Sequence, residues 1–308
     1  MNMKEKFDVL AVGEVLWDVF PETRRLGGAP FNFALHLRRL GLDCRFISRV
    51  GRDAAGAEIL QRLRSEGFDP ADIQVDEDRP TGVVQVDLDA RGTPTFTILE
   101  DAAFDRIRCG NSCEALLAGQ PEIIYFGTLI QRTPAAANQI QVFLAGRPKA
   151  SRTLCDINLR PRCVRREAVI ASLEQADILK LNEEEFAALK AMLGHGGSDD
   201  AFLAALFSDF RLELIALTRG AAGAEMIAPG QRWRGTPPVV GAIADTVGAG
   251  DAFAAMLAFG LIRSWDAPRI LDAALAFSAR ICAIRGAIPD NGAPYDEMKT
   301  WIEETSDE

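Results

Sequence analysis

Histidine and closely spaced cysteine, the usual ligands of zinc, are scarce in this sequence. There are only two histidines, His36 and His195, and among six cysteines only Cys109 and Cys113 lie close together in the chain. Their spacing is not a usual zinc pair, so the sequence argues against a structural zinc site. We expect the cysteines to be reduced and the protein to be cytoplasmic.

Long apolar runs and basic clusters are also missing. No segment approaches the roughly 20 apolar residues that span a bilayer. The N-terminus leads directly into a strand pattern, without the apolar run of a signal peptide. The net charge is −10, and arginines are grouped only in short pairs. We therefore expect neither a membrane nor a nucleic acid as partner, whereas a phosphorylated substrate needs only a few local cationic or N–H groups.

Two common nucleotide-binding signatures are absent as well. The sequence contains no Gly-x-x-x-x-Gly-Lys-Ser/Thr phosphate loop. The first predicted strand is not followed by Gly-x-Gly-x-x-Gly or by an acidic ribose ligand. A nicotinamide-dependent oxidoreductase is therefore not supported.

The alternation of strand and helix patterns predicts an α/β protein. A short apolar run at residues 7–12 is followed by a helix pattern from Pro30 to Gly41, a strand pattern at 44–50 and an amphipathic helix at 54–66. The alternation returns from residue 112 onwards. Such alternation is typical of a mostly parallel sheet covered by helices on both faces. Because repeats and linkers are lacking, residues 1–308 are predicted to form one domain.

One segment breaks this alternation. Residues 82–89 and 93–99 alternate apolar and polar side chains around a turn at 90–92, which predicts a hairpin with one exposed face. We expect a segment near 82–100 to form a small sheet with a segment near 14–27, standing off the main body. A plain edge hairpin is the alternative.

The stretch DTVGAGDAFAAMLAF, residues 245–259, carries the strongest chemical signal. Gly248 and Gly250 precede an apolar helix, where unblocked N–H groups and the helix dipole favour an anion. Asp251 lies at the same place, where a carboxylate could take a proton from a hydroxyl. Phosphoryl transfer to an alcohol requires these groups. Taken alone, the stretch fits an ordinary N-cap equally well.

Four further motifs accompany this stretch in a fixed order: LGGAPFNFALHLRRLG from residue 26, DINLRP from 156, KLNEEEF from 180 and TRGAAG from 218. Together they resemble the signature regions of the PfkB, or ribokinase-like, family of sugar kinases. GEVLWDVFP at residues 13–21 and the Asp-x-Asn-x-Arg element look most like fructokinases. Residues 162–164, Arg-Cys-Val, depart from the Leu-Trp pair of many fructokinases, which leaves the finer subfamily open.

The resemblance implies a ribokinase-like fold, with a central, mostly parallel sheet and a small β-sheet lid over the sugar. It implies ATP-dependent phosphorylation of a sugar hydroxyl and, as in many relatives, a homodimer formed through the lids. Asp251 corresponds to the catalytic base, and the N–H groups of Gly248, Ala249 and Gly250 correspond to an anion hole. A non-catalytic sugar-binding protein would be marked by loss of these residues, and all are present.

The resemblance also implies the contacts to the sugar. These fall on Asp18, Gly28 and Asn32, and the motif around Arg160 places its guanidinium in the pocket. The alternatives are an exposed polar role for Asn32 and a surface salt bridge for Arg160. Trp17 and Phe104 are weaker candidates for the pocket, since aromatic residues at such positions are more often core.

The cofactor contacts implied by the resemblance form three groups. Asn182 and Glu185 match an Asn-x-x-Glu pair that holds magnesium and phosphate largely through water. Their alternative is a capping box at a helix start.

The ATP segment is matched by Thr218, Gly220 and Gly223. Asp245 and Gly286 match loops that bind a monovalent cation, which makes a potassium requirement plausible. The expected reaction is conversion of D-fructose to fructose 6-phosphate with ATP and magnesium. Other acceptors stay open: 2-keto-3-deoxygluconate, ribose, another ketose or a nucleoside.

Overall fold

Strands and helices alternate along most of the chain in the computed structural model, which describes residues 6–88, 94–160 and 162–305. The strands of these residues are β1 (Val9–Val12), β2 (Leu16–Val19), β3 (Arg24–Gly27), β4 (Cys44–Gly51), β5 (Ile73–Asp76), β6 (Gly82–Leu88), β7 (Pro94–Ile98), β8 (Ile123–Gly127), β9 (Arg152–Asp156), β10 (Ile178–Asn182), β11 (Leu214–Thr218), β12 (Ala224–Ala228) and β13 (Gln231–Gly235).

The helices follow the same order in the chain. They are α1 (Ala29–Leu40), α2 (Ala54–Ser65), α3 (Asn111–Leu117), α4 (Pro134–Ala145), α5 (Arg166–Gln175), α6 (Glu183–Met192), α7 (Asp199–Asp209), α8 (Ala249–Ile262), α9 (Ala267–Cys282) and α10 (Ala293–Glu304). In the described part of the chain, no helix combines the length and apolar character required to cross a bilayer.

The larger sheet has the strand order β13-β12-β11-β10-β9-β8-β1-β4-β5. Its strands from β11 to β5 pair in parallel, and only β12 and β13 add antiparallel pairs. The central strands, VLAV, IIYFG and ILKLN, are mostly apolar. This is expected because parallel strands are covered on both faces. The predicted α/β class with a mostly parallel sheet is confirmed.

Helices cover both faces of this sheet. One apolar cluster includes α1, α8 and α9, and the other includes α4 to α7. Helix α8 is buried on all sides from Ala252 to Gly260, as expected for a helix that is apolar all round. It packs between α1 and α9, so its position is fixed by neighbours in two directions.

A second sheet has the strand order β3-β2-β6-β7 and lies in the segments expected to form a lid. Strand β2 pairs parallel to β6, while β3 and β7 pair antiparallel to their neighbours. Val84 and Val86 are buried, whereas Phe96 and Leu99 are about half exposed, at 50% and 48%. The turn predicted at 90–92 lies outside the described residues.

Two elements were not expected from the sequence, namely β5 and α3. Both are short, and β5 has the mixed sequence IQVD at a sheet edge. Trp17 and Phe104, the weaker candidates for the sugar pocket, are both buried. Trp17 packs in the core and donates its indole N–H to the Ala55 carbonyl at 3.2 Å. Phe104 is fully buried against Gly82.

Asp53 connects the start of α2 to the base of the second sheet. Its carboxylate accepts the N–H of Gly56 at 2.7 Å and is the N-cap of α2. It also accepts the Thr81 N–H at 2.8 Å and the Thr81 hydroxyl at 2.6 Å, one residue before β6. Thr81 in turn accepts the N–H of Gly51 at 3.0 Å, at the end of β4. These bonds connect the end of β4, the start of α2 and the residue before β6.

Asp53→Ala is expected to lower the free energy of unfolding by about 1–2 kcal/mol, because a helix cap and two contacts to Thr81 are lost together. Urea unfolding followed by circular dichroism measures the change. Asp78→Ala, at a nearby exposed aspartate, is the matched control and should shift stability by less than about 0.5 kcal/mol. Equal losses in the two variants would contradict the cap role.

Candidate active site

Polar residues gather at the carboxyl ends of the parallel strands. Glu14 follows β1 by one glycine, Asp156 is the last residue of β9, Asn182 ends β10 and Thr218 ends β11. In open α/β sheets, ligands bind outside this edge. The order of strands therefore assembles, from distant parts of the sequence, one polar rim beside the start of α8.

Helix α8 begins with a glycine in the left-handed region. Gly248 is its N-cap with φ 82°, and a β-carbon there would lie 2.4 Å from Cα and Cβ of Ala287. Only glycine fits this turn without strain or a clash. The N–H groups of Ala249 and Gly250 follow at the first positions of the helix, where no carbonyl of a preceding helical turn is available. The Ala249 N–H donates to the Thr246 carbonyl of the loop, at 3.3 Å. This end of α8 therefore has the groups of an anion site.

Asp251 lies in the first turn of α8 and is held from α1. Asn32 Nδ2 donates to Asp251 Oδ2 at 2.7 Å across 219 residues of sequence. Burial raises the pKa of Asp251 to about 6, although the Asn32 bond and the charges of Lys180 and Arg160 act in the opposite direction. A carboxylate with a pKa near neutrality is suited to accept a proton at physiological pH.

The predicted sugar contacts lie on the same side of the molecule. Asp18 is on β2, and burial raises its pKa to about 6 while Arg160 opposes this. Asn32 is buried, not exposed on its helix, and its Oδ1 has no hydrogen-bond partner within the described residues. Gly28 is the N-cap of α1 with φ 111°, and a β-carbon there would meet the backbone carbonyl of Glu14 at 2.5 Å.

Arg160 is exposed, and its positive charge acts on three carboxyl groups, those of Glu14, Asp18 and Asp251. A guanidinium that faces several acids of one site is positioned to bind an anionic or polyhydroxylated ligand. Pro161, the last residue of its motif, lies outside the described residues.

Glu14 is a site residue that the sequence analysis missed. Its side chain is buried, and burial raises its pKa to about 7. The N–H of Ala29 and the charge of Arg160 lower this pKa, while Asp251 raises it. A signal was present, since an acid two residues after the fully apolar VLAV strand points to the carboxyl edge of the sheet.

Asn182 and Glu185 form the capping box that was the alternative for this pair. Asn182 Oδ1 accepts the N–H of Glu185 at 2.8 Å, and Glu185 Oε2 accepts the N–H of Asn182 at 2.8 Å. Glu185 Oε1 also accepts the N–H of Leu159 at 3.0 Å. Burial raises the pKa of Glu185, and Lys180 counteracts it. The side-chain oxygens of Asn182 and Glu185 can accept further hydrogen bonds beside those of the capping box. The predicted binding of hydrated magnesium by this pair therefore stays a proposal.

The predicted ATP segment begins at the end of β11. Thr218 Oγ1 donates to the Leu181 carbonyl at 3.5 Å. Gly220 starts a single 3-10 turn, and a β-carbon there would have no atom within 4 Å. Gly223 has φ 99°, and a β-carbon would lie 2.0 Å from the Gly235 carbonyl oxygen. Gly223 thus lets β12 and the end of β13 approach closely, whereas Gly220 leaves an open surface beside Thr218.

Asp245 and Gly286, predicted together as a cation site, are in direct contact. Asp245 Oδ2 accepts the N–H of Gly286 at 3.0 Å, and Oδ1 accepts the N–H of Val247 at 3.1 Å. The contact joins the loop before α8 to the loop after α9. Across residues 6–88, 94–160 and 162–305, no three His, Cys, Asp or Glu side chains come together as a metal-binding group.

Gly248→Ala is expected to lower the free energy of unfolding by more than about 2 kcal/mol. It combines left-handed strain of about 1 kcal/mol with a contact against Ala287 that the packed core cannot relieve. The matched control is Gly230→Ala, because Gly230 has φ 76° and a β-carbon there would have no atom within 4 Å. Thermal and urea unfolding of both variants measure the difference, and equal losses would contradict the packing argument.

The chain is similar to known carbohydrate kinases. The model of the pfkB family of carbohydrate kinases matches residues 6–293. A fructokinase from Klebsiella pneumoniae is 32% identical over 266 residues, which cover 82% of this chain and 84% of that protein. An aminoimidazole riboside kinase from Salmonella typhimurium is 28% identical over 321 residues, covering 97% of this chain and 96% of that protein.

The fold agrees as well. A solved structure of a putative ribokinase II from E. coli, in complex with ATP and Mg²⁺, is similar with a TM-score of 0.81 at 22% identity, covering 97% of this chain and 99% of that chain. The match confirms the ribokinase-like fold, and the family model spans most of the sequence. This chain therefore belongs to the pfkB family of carbohydrate kinases.

Proposed function

We propose that this kinase transfers the γ-phosphoryl group of ATP to a hydroxyl of a small sugar, converting D-fructose to fructose 6-phosphate. The observation that carries the proposal is Asp251, held by Asn32 at 2.7 Å in the first turn of α8, with a pKa of about 6. Base and anion site are thus adjacent. The geometry suits a reaction in which a hydroxyl loses a proton while charge moves onto phosphate oxygens.

In this mechanism Asp251 accepts the proton of the attacking hydroxyl. A bond forms between that hydroxyl oxygen and the γ-phosphorus, and the bond from this phosphorus to the bridging oxygen of ADP breaks. The N–H groups of Gly248, Ala249 and Gly250 stabilise the charge on the transferring group. Because these donors lie at the cap and the first two positions of a packed helix, the fold places them before the reaction begins.

ATP and magnesium are the proposed co-reactants, in line with the ATP and Mg²⁺ complex of the similar E. coli structure. Thr218, Gly220 and Gly223 are proposed to hold the nucleotide, and the open space at Gly220 supports this. Asn182 and Glu185 fit an ion that keeps its waters, since their side-chain oxygens already accept backbone N–H groups. Bound magnesium would neutralise charge on the phosphates.

Fructose is supported by similarity to the Klebsiella pneumoniae fructokinase at 32% identity. Asp18, Asn32 and the backbone at Gly28 are proposed to bind its hydroxyls, since a carboxylate accepts from hydroxyls and an amide can both accept and donate. A second candidate is an acidic sugar such as 2-keto-3-deoxygluconate. The observation that favours it is Arg160, which is exposed beside Asp18 and could pair with a carboxylate.

Three further proposals concern the surroundings of the site. The Asp245–Gly286 contact supports a monovalent cation, such as K⁺, bound by the loops beside α8. The half-exposed Phe96 and Leu99 support a homodimer formed through the second sheet. The same sheet is proposed to close over the sugar and exclude water, which would otherwise compete as acceptor.

Asp251→Asn is expected to reduce kcat by at least about 100-fold while the KM values change little, since the base is lost but the contacts remain. In the parent enzyme kcat/KM should rise with pH through about 6, because only the ionised carboxylate accepts a proton. Initial-rate kinetics between pH 5 and 8 measure both effects. Asp272→Asn, at an exposed position on α9, is the matched control and should keep normal turnover.

Stability provides the fold control for Asp251→Asn. Folding raises the pKa of Asp251, so the protonated form stabilises the fold below the unfolded pKa near 4, and this contribution is lost as pH rises through about 6. Asparagine does not undergo this loss. Above pH 6 the variant should therefore be at least as stable as the parent. Near-normal turnover in a folded Asp251→Asn would show that the base is another group.

The acceptor is identified by ATP-dependent ADP release with magnesium, tested against fructose, 2-keto-3-deoxygluconate, ribose, glucose, tagatose and adenosine, each with and without potassium. We expect one strong response, to fructose, with phosphate on the 6-hydroxyl by ³¹P NMR. A response to the keto-acid that is lost in Arg160→Gln would assign Arg160 as a carboxylate clamp. If none of these acceptors caused ADP release while the protein still bound ATP, a non-catalytic role would be favoured.

A further inference from the structure

A lysine–aspartate ion pair lies beneath the start of α8. Lys180 of β10 is aligned with Asp156 of β9 in the parallel register. Its ammonium Nζ lies 3.1 and 3.0 Å from the two carboxylate oxygens of Asp156. The side chains are 7% and 0% exposed. Both ions are thus removed from water, which costs several kcal/mol per ion before their attraction is counted.

The pair is connected to other parts of the site. The hydroxyl of Tyr125 on β8 donates to Asp156 Oδ2 at 3.3 Å. The Tyr125 ring stacks on Phe33 of α1 with ring centres 3.8 Å apart, and Phe33 is next to Asn32, the partner of Asp251. Strands β8, β9 and β10 and helix α1, which carries Asn32, are therefore connected through the carboxylate of Asp156.

The ammonium reaches the turn that carries the base. A β-carbon at Gly250 would lie 2.9 Å from Lys180 Nζ, and Asp251 is the next residue. A cation at the N-terminal end of a helix is unfavourable, because it faces the positive end of the dipole. A buried ion pair is in general weak evidence for stability. Neither the helix dipole nor a gain in stability therefore explains why the ion pair lies at the start of α8, and we look for its role in the function of this turn.

We propose that the Lys180–Asp156 pair is a positioning element of the phosphoryl-transfer site, which supports the Gly250 turn and sets the charge state of Asp251. The inference rests on the proposed role of Asp251 as base. Lys180 favours the carboxylate form of Asp251, and Asp156 limits this effect by compensating the lysine charge. Together they keep Asp251 ionised at neutral pH but still basic enough to accept a proton.

The electrostatic surroundings of Asp251 come from several elements. Lys180, Arg160 and the Asn32 hydrogen bond lower its pKa, and Asp156 and Glu14 favour its neutral form. Tyr125 faces the same groups from β8, and burial raises its pKa, so it stays neutral. Lys180 itself stays charged even though burial disfavours its ammonium, because Asp156, Glu185 and Asp251 raise its pKa.

Because Lys180 and Asp156 change the pKa of Asp251 in opposite directions, removing one or the other charge should have opposite effects. Lys180→Met should move the acidic limb of kcat/KM to higher pH, on the order of one unit, since a nearby positive charge is lost. Asp156→Asn should move it to lower pH, because Lys180 then acts uncompensated. The double variant, which removes both charges and avoids an unpaired buried ion, should lie between the single variants.

The same cycle is measured without turnover by ¹³C NMR titration of carboxyl-labelled aspartate in the free protein. The Asp251 resonance is assigned by its loss in Asp251→Asn. Expected are shifts of opposite direction in the single variants and an intermediate value in the double variant. This readout separates the two ideas. The pKa of Asp251 could shift in the expected order while no acceptor is phosphorylated. That result would count against the kinase proposal but would establish the effect of the Lys180–Asp156 pair on Asp251.

A structural role alone would give another result. If both single variants lost stability but left the Asp251 titration unchanged, or moved it in the same direction, the proposal would be overturned. The same conclusion would follow if Lys180→Met lowered only kcat in proportion to the fraction of folded protein. Unfolding curves recorded with each titration distinguish this case.

Discussion

The hydrogen bond from Asn32 to Asp251, 2.7 Å long, connects the two helices around which the site is built. Helix α8 is buried from Ala252 to Gly260 and packs between α1 and α9, so it has little freedom to shift. Helix α1 follows its N-cap Gly28, which lies beside the loop that carries Glu14. One side-chain bond thus fixes the carboxylate of the proposed base relative to the helix proposed to bind the acceptor. Positioning of this kind, from rigid elements, is a main source of catalytic rate.

The site is electrostatically costly to assemble. Burial raises the pKa of Glu14, Asp18 and Asp251, so folding opposes the ionised form of all three. Two cations offset part of this cost, with Arg160 on the open side and Lys180 underneath. Carboxyl groups whose surroundings favour the proton are concentrated at functional sites. The two extensive apolar clusters on the faces of the sheet stabilise the fold and offset the free energy that burial of these carboxyl groups costs.

Most of the fold could be predicted from sequence, because buried parallel strands leave apolar runs such as VLAV, and helices between them carry recognisable starts and ends. The glycine turn at the start of α8 was also predictable, since Gly248 to Asp251 are consecutive. Its catalytic role stays a prediction. Asp156 and Lys180 were different. They are 24 residues apart, and only the register of β9 against β10 brings them together. Glu14 stands within the GEVLWDVFP motif, but its burial could not be predicted, because a single acid leaves no periodic pattern in the sequence. Strand β5 was missed because four residues of mixed polarity carry too little pattern.

The second sheet has a consequence for the proposed acceptor contacts. Asp18 belongs to β2 of that sheet, whereas Asn32 belongs to α1 on the main sheet. The second sheet is tied to α2 by the Asp53–Thr81 bonds and by the Trp17 bond to the Ala55 carbonyl. Under the proposed function, one acceptor would be bound from both sheets at once, so the separation of the sheets would decide which ligands contact both residues. The length of the acceptor would then be selected together with the stereochemistry of its hydroxyls.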